Sequence, residues 1–174
     1  MINNNLINKL HSIYPELIID ISYIRGYSDE EISRMERLYD IRIVGQLYDF
    51  LKCMGRCSGG FFGDDPLVFY QNQETIRGDI LFQIGGRDEL ASIQRHDLLK
   101  QKPFFISVES YTQYLFLLTD SDNPDLIFNY NENDECIEKT NWDLNSYLQH
   151  VINVYTRHYP VPPPFDRHGE LIII

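Results

Sequence analysis

The sequence predicts an α+β fold: an antiparallel β-meander flanked by helices. Three observations predict it. Apolar residues recur at helical spacing over 3–14, 28–39 and 45–54. Four short runs rich in aromatic and branched residues then follow between 104 and 139, separated by turn clusters too short for a parallel crossover. A last helical stripe covers 142–155. At 174 residues, 43% hydrophobic and 13% aromatic, the chain can bury a real core.

Leu6, Ile7, Leu10, Ile13 and Tyr14 place one stripe on the first helix, which Pro15 ends. Residues 17–24 read as an extended or irregular connection. Ser28 opens the second helix with Glu31 three residues on, a capping box in which each side chain satisfies the other's orphan backbone donor. Asp29, Glu30 and Glu31 face the positive end of that helix dipole. Ile32, Met35, Leu38 and Tyr39 form its buried stripe. Leu47, Phe50, Leu51 and Met54 do the same for a third helix, with Gly55 as C-cap, and the two helices are expected to pack antiparallel.

Phe61 and Phe62 precede a Gly-Asp-Asp-Pro turn at 63–66 and a strand at 67–71. Residues 80–84 form a further apolar run, strand or buried helix, which Gly85 and Gly86 break. A helix over 88–100 with Leu90, Ile93, Leu98 and Leu99 inward ends before Pro103. Strands follow at 104–109, 114–119, 126–130 and 135–139, joined by Asn- and Asp-rich turns. The last helix, capped by Thr140 or Asn141, turns Leu144, Tyr147, Leu148, Val151, Ile152 and Tyr155 inward. The pattern is one domain over 1–157. A Pro-rich tail over 158–174 is expected to dock on it through the apolar residues 171–174.

The start of the chain lacks the basic segment and long apolar core of a signal peptide, and no apolar run reaches the length of a membrane span. Three cysteines, Cys53, Cys57 and Cys136, are an odd number that fits reduced thiols. A cytoplasmic protein without membrane contact is expected. The net charge is −11, and its distribution is uneven. Over 103–155 nine acids stand against one base, Lys139. Such a field repels nucleic acid and attracts a basic partner.

The sequence holds little recognisable catalytic chemistry. Cys53 and Cys57 are spaced to share a helix face but lack the second pair a structural zinc site needs, so they read as small buried thiols. The five histidines form no HExxH and no i, i+4 pair. A Cys136–His150 nucleophile–base set can be written down, without sequence support for its geometry. Gly85-Gly86-Arg87-Asp88 offers a phosphate site only if a helix starts there. Asp120, Asp122 and Asp125 lack the glycine and terminal glutamate of a calcium loop. No catalytic residue, cofactor or metal is assigned.

One stretch is more specific. Gly26, Ser28, Glu31, Ile32, Glu36, Phe50, Leu51, Gly59 and Gly60 match the pattern G-x-S-x-x-E-I-x-x-x-E, then Phe-Leu, then Gly-Gly. Over 26–60 the chain resembles the SUKH superfamily, which includes Smi/Knr-type regulators of fungal cell-wall synthesis and bacterial immunity proteins. The family's Leu-Pro is replaced by Ile43-Val44, and Leu47 stands at its aromatic position. The resemblance implies an α+β fold without catalytic residues. It also implies a protein that binds and neutralises a cognate toxin, often a nuclease or another nucleic-acid-directed enzyme. Joined to the charge, this makes the partner a basic toxin domain. The contacts are expected on an acidic surface of Asp120, Asp122, Asp125, Glu132, Asp134, Glu135 and Glu138. The alternative is a regulatory adaptor that binds several cellular proteins.

Overall fold

The computed structural model describes residues 4–62 and 76–158. At its centre lies a four-stranded antiparallel meander, β1 (Pro103–Glu109), β2 (Gln113–Leu118), β3 (Leu126–Asn131) and β4 (Cys136–Asp143), in chain order. The α+β prediction and all four strands are found. The expected turn at 63–66, the strand at 67–71 and the tail over 159–174 lie outside the described residues.

The sheet is covered on both faces, which explains its near-continuous apolar runs. Phe104, Ile106, Leu115, Leu117 and Ile127 face the larger core. That core is built on α1 (Asn4–His11), α2 (Asp29–Tyr39), α3 (Gly45–Met54) and α6 (Leu144–Val151). Phe105, Phe116, Leu118, Phe128 and Tyr130 face a smaller core with Leu90 and Leu98, under α4 (Ile76–Ser92) and α5 (His96–Leu99). A bulge at Ile106 shifts the β1–β2 register, so that Ser107 also faces the larger core. There it accepts a hydrogen bond from the buried Tyr147 hydroxyl at 2.8 Å.

The helical half follows the sequence closely. Both bonds of the capping box are present, Glu31 N–H to Ser28 Oγ at 3.2 Å and Ser28 N–H to Glu31 Oε2 at 2.8 Å. Start meets end between α2 and α3: Asp29 bridges Lys52 at 3.0 Å, and Glu36 accepts from the Ile43 N–H at 2.7 Å. The two helices therefore pack antiparallel. Residues 17–24 contain one 3-10 turn, Ile21–Tyr23, and Leu38 and Tyr39 are half-buried on α2.

Two expectations are corrected. Gly85 and Gly86 do not break a helix; α4 runs through them for 17 residues, and the separate helix over 88–100 becomes the end of α4 followed by α5. The reason is tertiary. A Cβ at Gly86 would stand 2.5 Å from the Phe105 ring, so glycine lets α4 approach the sheet. Gln83 then bonds both backbone groups of Phe105, donating to its carbonyl at 2.7 Å and accepting from its N–H at 2.9 Å. Among the described residues nothing lies within 4 Å of a Cβ at Gly85. Gly85→Ala should therefore stabilise the protein by about 0.5–1 kcal/mol through helix propensity. Gly86→Ala should destabilise it by about 1–3 kcal/mol through overpacking. Parallel urea titrations of the two variants check this contrast.

The second correction concerns α6. It starts at Leu144, not Trp142, and its cap is Asp143, which accepts from the Ser146 N–H at 2.7 Å. Thr140 is occupied elsewhere. Its hydroxyl donates to the Ile127 carbonyl at 2.7 Å and accepts from the Trp142 N–H at 3.1 Å, within a β3–β4 irregularity that extends the strand to Asp143. Past α6 the chain continues as a π-helical turn, Ile152–Thr156. Among the described residues no helix is long and apolar enough to cross a membrane.

Candidate functional site

The structure divides the expected acidic surface between two ends of the sheet. Asp120, Asp122 and Asp125 sit in the β2–β3 connection, and Glu132, Asp134 and Glu135 in the β3–β4 turn. The six residues of β3 separate them by about 20 Å at roughly 3.3 Å per residue. Glu138 is exposed on β4, the last strand of the sheet among the described residues, opposite Asn129.

The β2–β3 end is electrostatically mixed. Asp120 pairs with Arg42 at 3.4 Å, and neighbouring Asp40 pairs with Lys102 at 3.1 Å. Asp125 has a structural role. Val44 cannot cap α3 with its side chain, and Asp125 Oδ1 accepts the Gln46 N–H at 2.8 Å instead. The β3–β4 end is different. Glu132, Asp134 and Glu135 are exposed, and none is in an ion pair among the described residues. Asp134 accepts from the Asn131 amide at 2.7 Å, which braces the turn, and Glu135 takes a left-handed conformation at φ 51°.

A further carboxylate joins this end from α4. Glu89 lies 3.5 Å from the Tyr130 hydroxyl, across 41 residues of sequence. The sequence alone does not point to it, because Gly85 and Gly86 read as a helix break. A continuous helix places Gly85, Gly86 and Glu89 on one face by their three- and four-residue spacing. With Phe82, Tyr114 and Tyr130 they line a cavity of about 170 Å³. Phe82 stacks on Tyr114 with ring centres 5.9 Å apart, and Tyr114 leans on Tyr130 at 6.1 Å. The Tyr114 hydroxyl donates to Glu132 at 3.2 Å. Burial raises the pKa of both phenols, and so do the nearby carboxylates, Glu132 and Glu89 for Tyr114 and Glu89, Glu135 and Glu132 for Tyr130. Both phenols remain protonated donors towards these acids. The site thus combines aromatic side chains with carboxylates that are in no ion pair among the described residues.

The residues of the 26–60 pattern lie elsewhere and build the helical half. Ser28 and Glu31 cap α2, Glu36 ties α2 to the start of α3, and Ile32, Phe50 and Leu51 are buried. Gly26 and Gly59 allow two backbone segments to meet, as Tyr27 N–H bonds the Leu51 carbonyl at 2.9 Å and Asp20 N–H bonds the Gly59 carbonyl at 2.8 Å. Gly59 and Gly60 both have positive φ, 69° and 107°.

The other candidate chemistries are not assembled. Cys136 opens β4, whereas His150 stacks on Trp142 near the strand's far end, so the nucleophile–base pair does not meet. Cys57 lies beyond the end of α3, in a bridge to Arg25, and shares no helix face with Cys53. Arg87 lies within α4, away from any helix start. Its guanidinium donates to the carbonyls of Tyr39, Asp40 and Pro103 at 2.6, 3.2 and 3.2 Å. Residues 85–88 lie inside a helix and offer no helix-start phosphate site.

One buried acid gives a pH prediction. Asp79, in the first turn of α4, is only 8% exposed, and burial raises its pKa from 3.8 to about 6. An acid whose folded pKa is raised opposes folding once ionised. The penalty begins above the unfolded value near 3.8 and is complete above about pH 6. Asp79→Asn should therefore exceed the wild type in stability by about 1–2 kcal/mol at pH 7.5, and the gap should close below about pH 4. Denaturant titrations of both proteins at the two pH values measure it.

Comparison of the chain with protein-family models, curated proteins and solved structures finds no match.

Proposed function

We propose that the chain is a non-enzymatic, cytoplasmic immunity protein of the SUKH type, which binds and neutralises a toxin with a basic contact surface. The observation that carries this reading is the gathering of Glu89, Glu132, Asp134 and Glu135 at one end of the sheet, without an ion pair among the described residues. Elsewhere the acids Asp29, Glu31, Asp40, Asp97 and Asp120 are matched by local bases. An unmatched acidic end exerts a directed field that steers a basic protein into contact. The likeness of 26–60 to the SUKH pattern supplies the class of protein, and the acidic end supplies the chemistry of its partner. A basic, nucleic-acid-directed toxin suits such a surface, because carboxylates take the place of phosphates.

Capture from the native cell tests this. The wild-type chain should retain one basic polypeptide at roughly 50 mM salt and release it at roughly 500 mM, where charges are screened over a few ångströms. The combined variant Glu132→Lys, Asp134→Lys, Glu135→Lys should not retain it. A broad set of partners held equally by both proteins at either salt would instead favour a regulatory adaptor.

A further inference from the structure

We infer that the cavity between α4 and the sheet receives the side chain of a single lysine or arginine from the protein partner, an assignment that rests on the basic-partner reading above. The cavity is lined by the aromatic residues Phe82, Tyr114 and Tyr130, by Gly85 and Gly86 of α4, and by the exposed Glu89. About 170 Å³ is room for one alkylammonium or alkylguanidinium group. Aromatic faces attract a cation through their quadrupole, most strongly where water is partly excluded. A carboxylate beside them supplies a charged acceptor for the N–H groups.

Both features select for positive charge. An anion would meet Glu89 and Glu132, and a neutral apolar group would fill the space while leaving the carboxylates unmatched. The two carboxylates are already oriented, Glu132 by the Tyr114 hydroxyl and Glu89 near that of Tyr130. The glycines have a second role here. A side chain at Gly86 is excluded by Phe105, and glycine at 85 keeps the helical wall low where no other described residue fills the space. A basic side chain seated there would anchor the partner, with Glu132, Asp134 and Glu135 forming an acidic margin around it.

The test uses small probes and the full chain, so it needs no partner. Amide chemical shifts are followed by NMR while n-butylguanidinium chloride, 1-pentanol or tetramethylammonium chloride is added at constant ionic strength. Butylguanidinium should give saturable shifts at Gly85 and Gly86 with a dissociation constant on the order of millimolar. Pentanol should bind at least about 5-fold more weakly. Glu89→Gln, an exposed and conservative change, should weaken the cation by about 5-fold. Phe82→Leu, which keeps apolar bulk but loses the ring, should weaken it by about 3-fold. Absence of saturable shifts at the two glycines, or pentanol binding as tightly as the cation, would overturn the assignment. Tighter binding of tetramethylammonium than of butylguanidinium would also overturn it, in favour of a free quaternary cation. Saturable butylguanidinium binding in a chain that protects against no toxin would refute the immunity reading alone. Protection without such binding would refute the cavity assignment alone.

Discussion

Gly26→Ala is expected to destabilise the protein by about 3 kcal/mol or more, far beyond an ordinary glycine-to-alanine change. A Cβ at this position would fall inside contact distance of the Lys52 carbonyl oxygen and carbon, which are backbone atoms of α3 and cannot rotate away. The 20–27 segment would have to withdraw from the 51–59 segment. That withdrawal strains the Tyr27 N–H bond to Leu51 at 2.9 Å and the paired bonds between Arg25 and Cys57 at 3.0 and 3.1 Å. The same junction carries buried Ile24, Tyr27 and Cys57, so separation also opens the larger core. For a chain of this size the melting temperature should fall by about 6–12 °C. Thermal and urea denaturation measure the effect, and a loss below about 1 kcal/mol would show that the two segments separate without cost. Gly26 thus stands in the 26–60 pattern for a steric reason, the close approach of two backbones.

Gln83→Leu should cost about 2–4 kcal/mol. Among the described residues β1 is an edge strand, and the outward N–H and C=O of Phe105 pair with no other strand. The Gln83 amide serves both, as a neighbouring strand would, and both residues are buried, Gln83 at 5% and Phe105 at 0% exposure. Leucine matches the volume but leaves a buried donor and a buried acceptor unpaired, and each lost partner costs about 1–3 kcal/mol. Gln83→Glu separates the two bonds. Its carboxylate still accepts from the Phe105 N–H but faces the Phe105 carbonyl with an oxygen. It should therefore be destabilising at neutral pH and partly recover on acidification, when a protonated carboxyl can donate. Loss of β1 amide protection in hydrogen exchange would locate the damage at this edge.

The elements that were legible in the sequence are those fixed by local chemistry. Ser28 and Glu31 needed only three-residue spacing to declare a capping box, and the Asn- and Asp-rich turns after Thr119 and Tyr130 left antiparallel pairing as the one option for the meander. The misread elements depend on distant contacts. Gly85 and Gly86 look like a helix break until the Phe105 ring is placed against them. Thr140 looks like a helix cap until the Ile127 carbonyl claims its hydroxyl. The acidic surface was legible as composition and not as geometry. Neighbours in the chain, Asp125 and Glu132, lie at opposite ends of β3, while Glu89 reaches the site from another layer. Charge counting also could not separate Asp125, which caps α3, from Glu135, which is exposed.

Growth of cells that express the captured basic polypeptide is the most direct test of binding at the acidic end of the sheet. Three versions of this chain are compared. One is wild type, one carries Glu132→Lys, Asp134→Lys and Glu135→Lys, and one carries Asp120→Lys and Asp122→Lys. Growth is expected with the wild type and with the β2–β3 variant, and arrest with the β3–β4 variant at equal abundance of folded protein. Full protection by the β3–β4 variant, or loss of protection only in the β2–β3 variant, would contradict it.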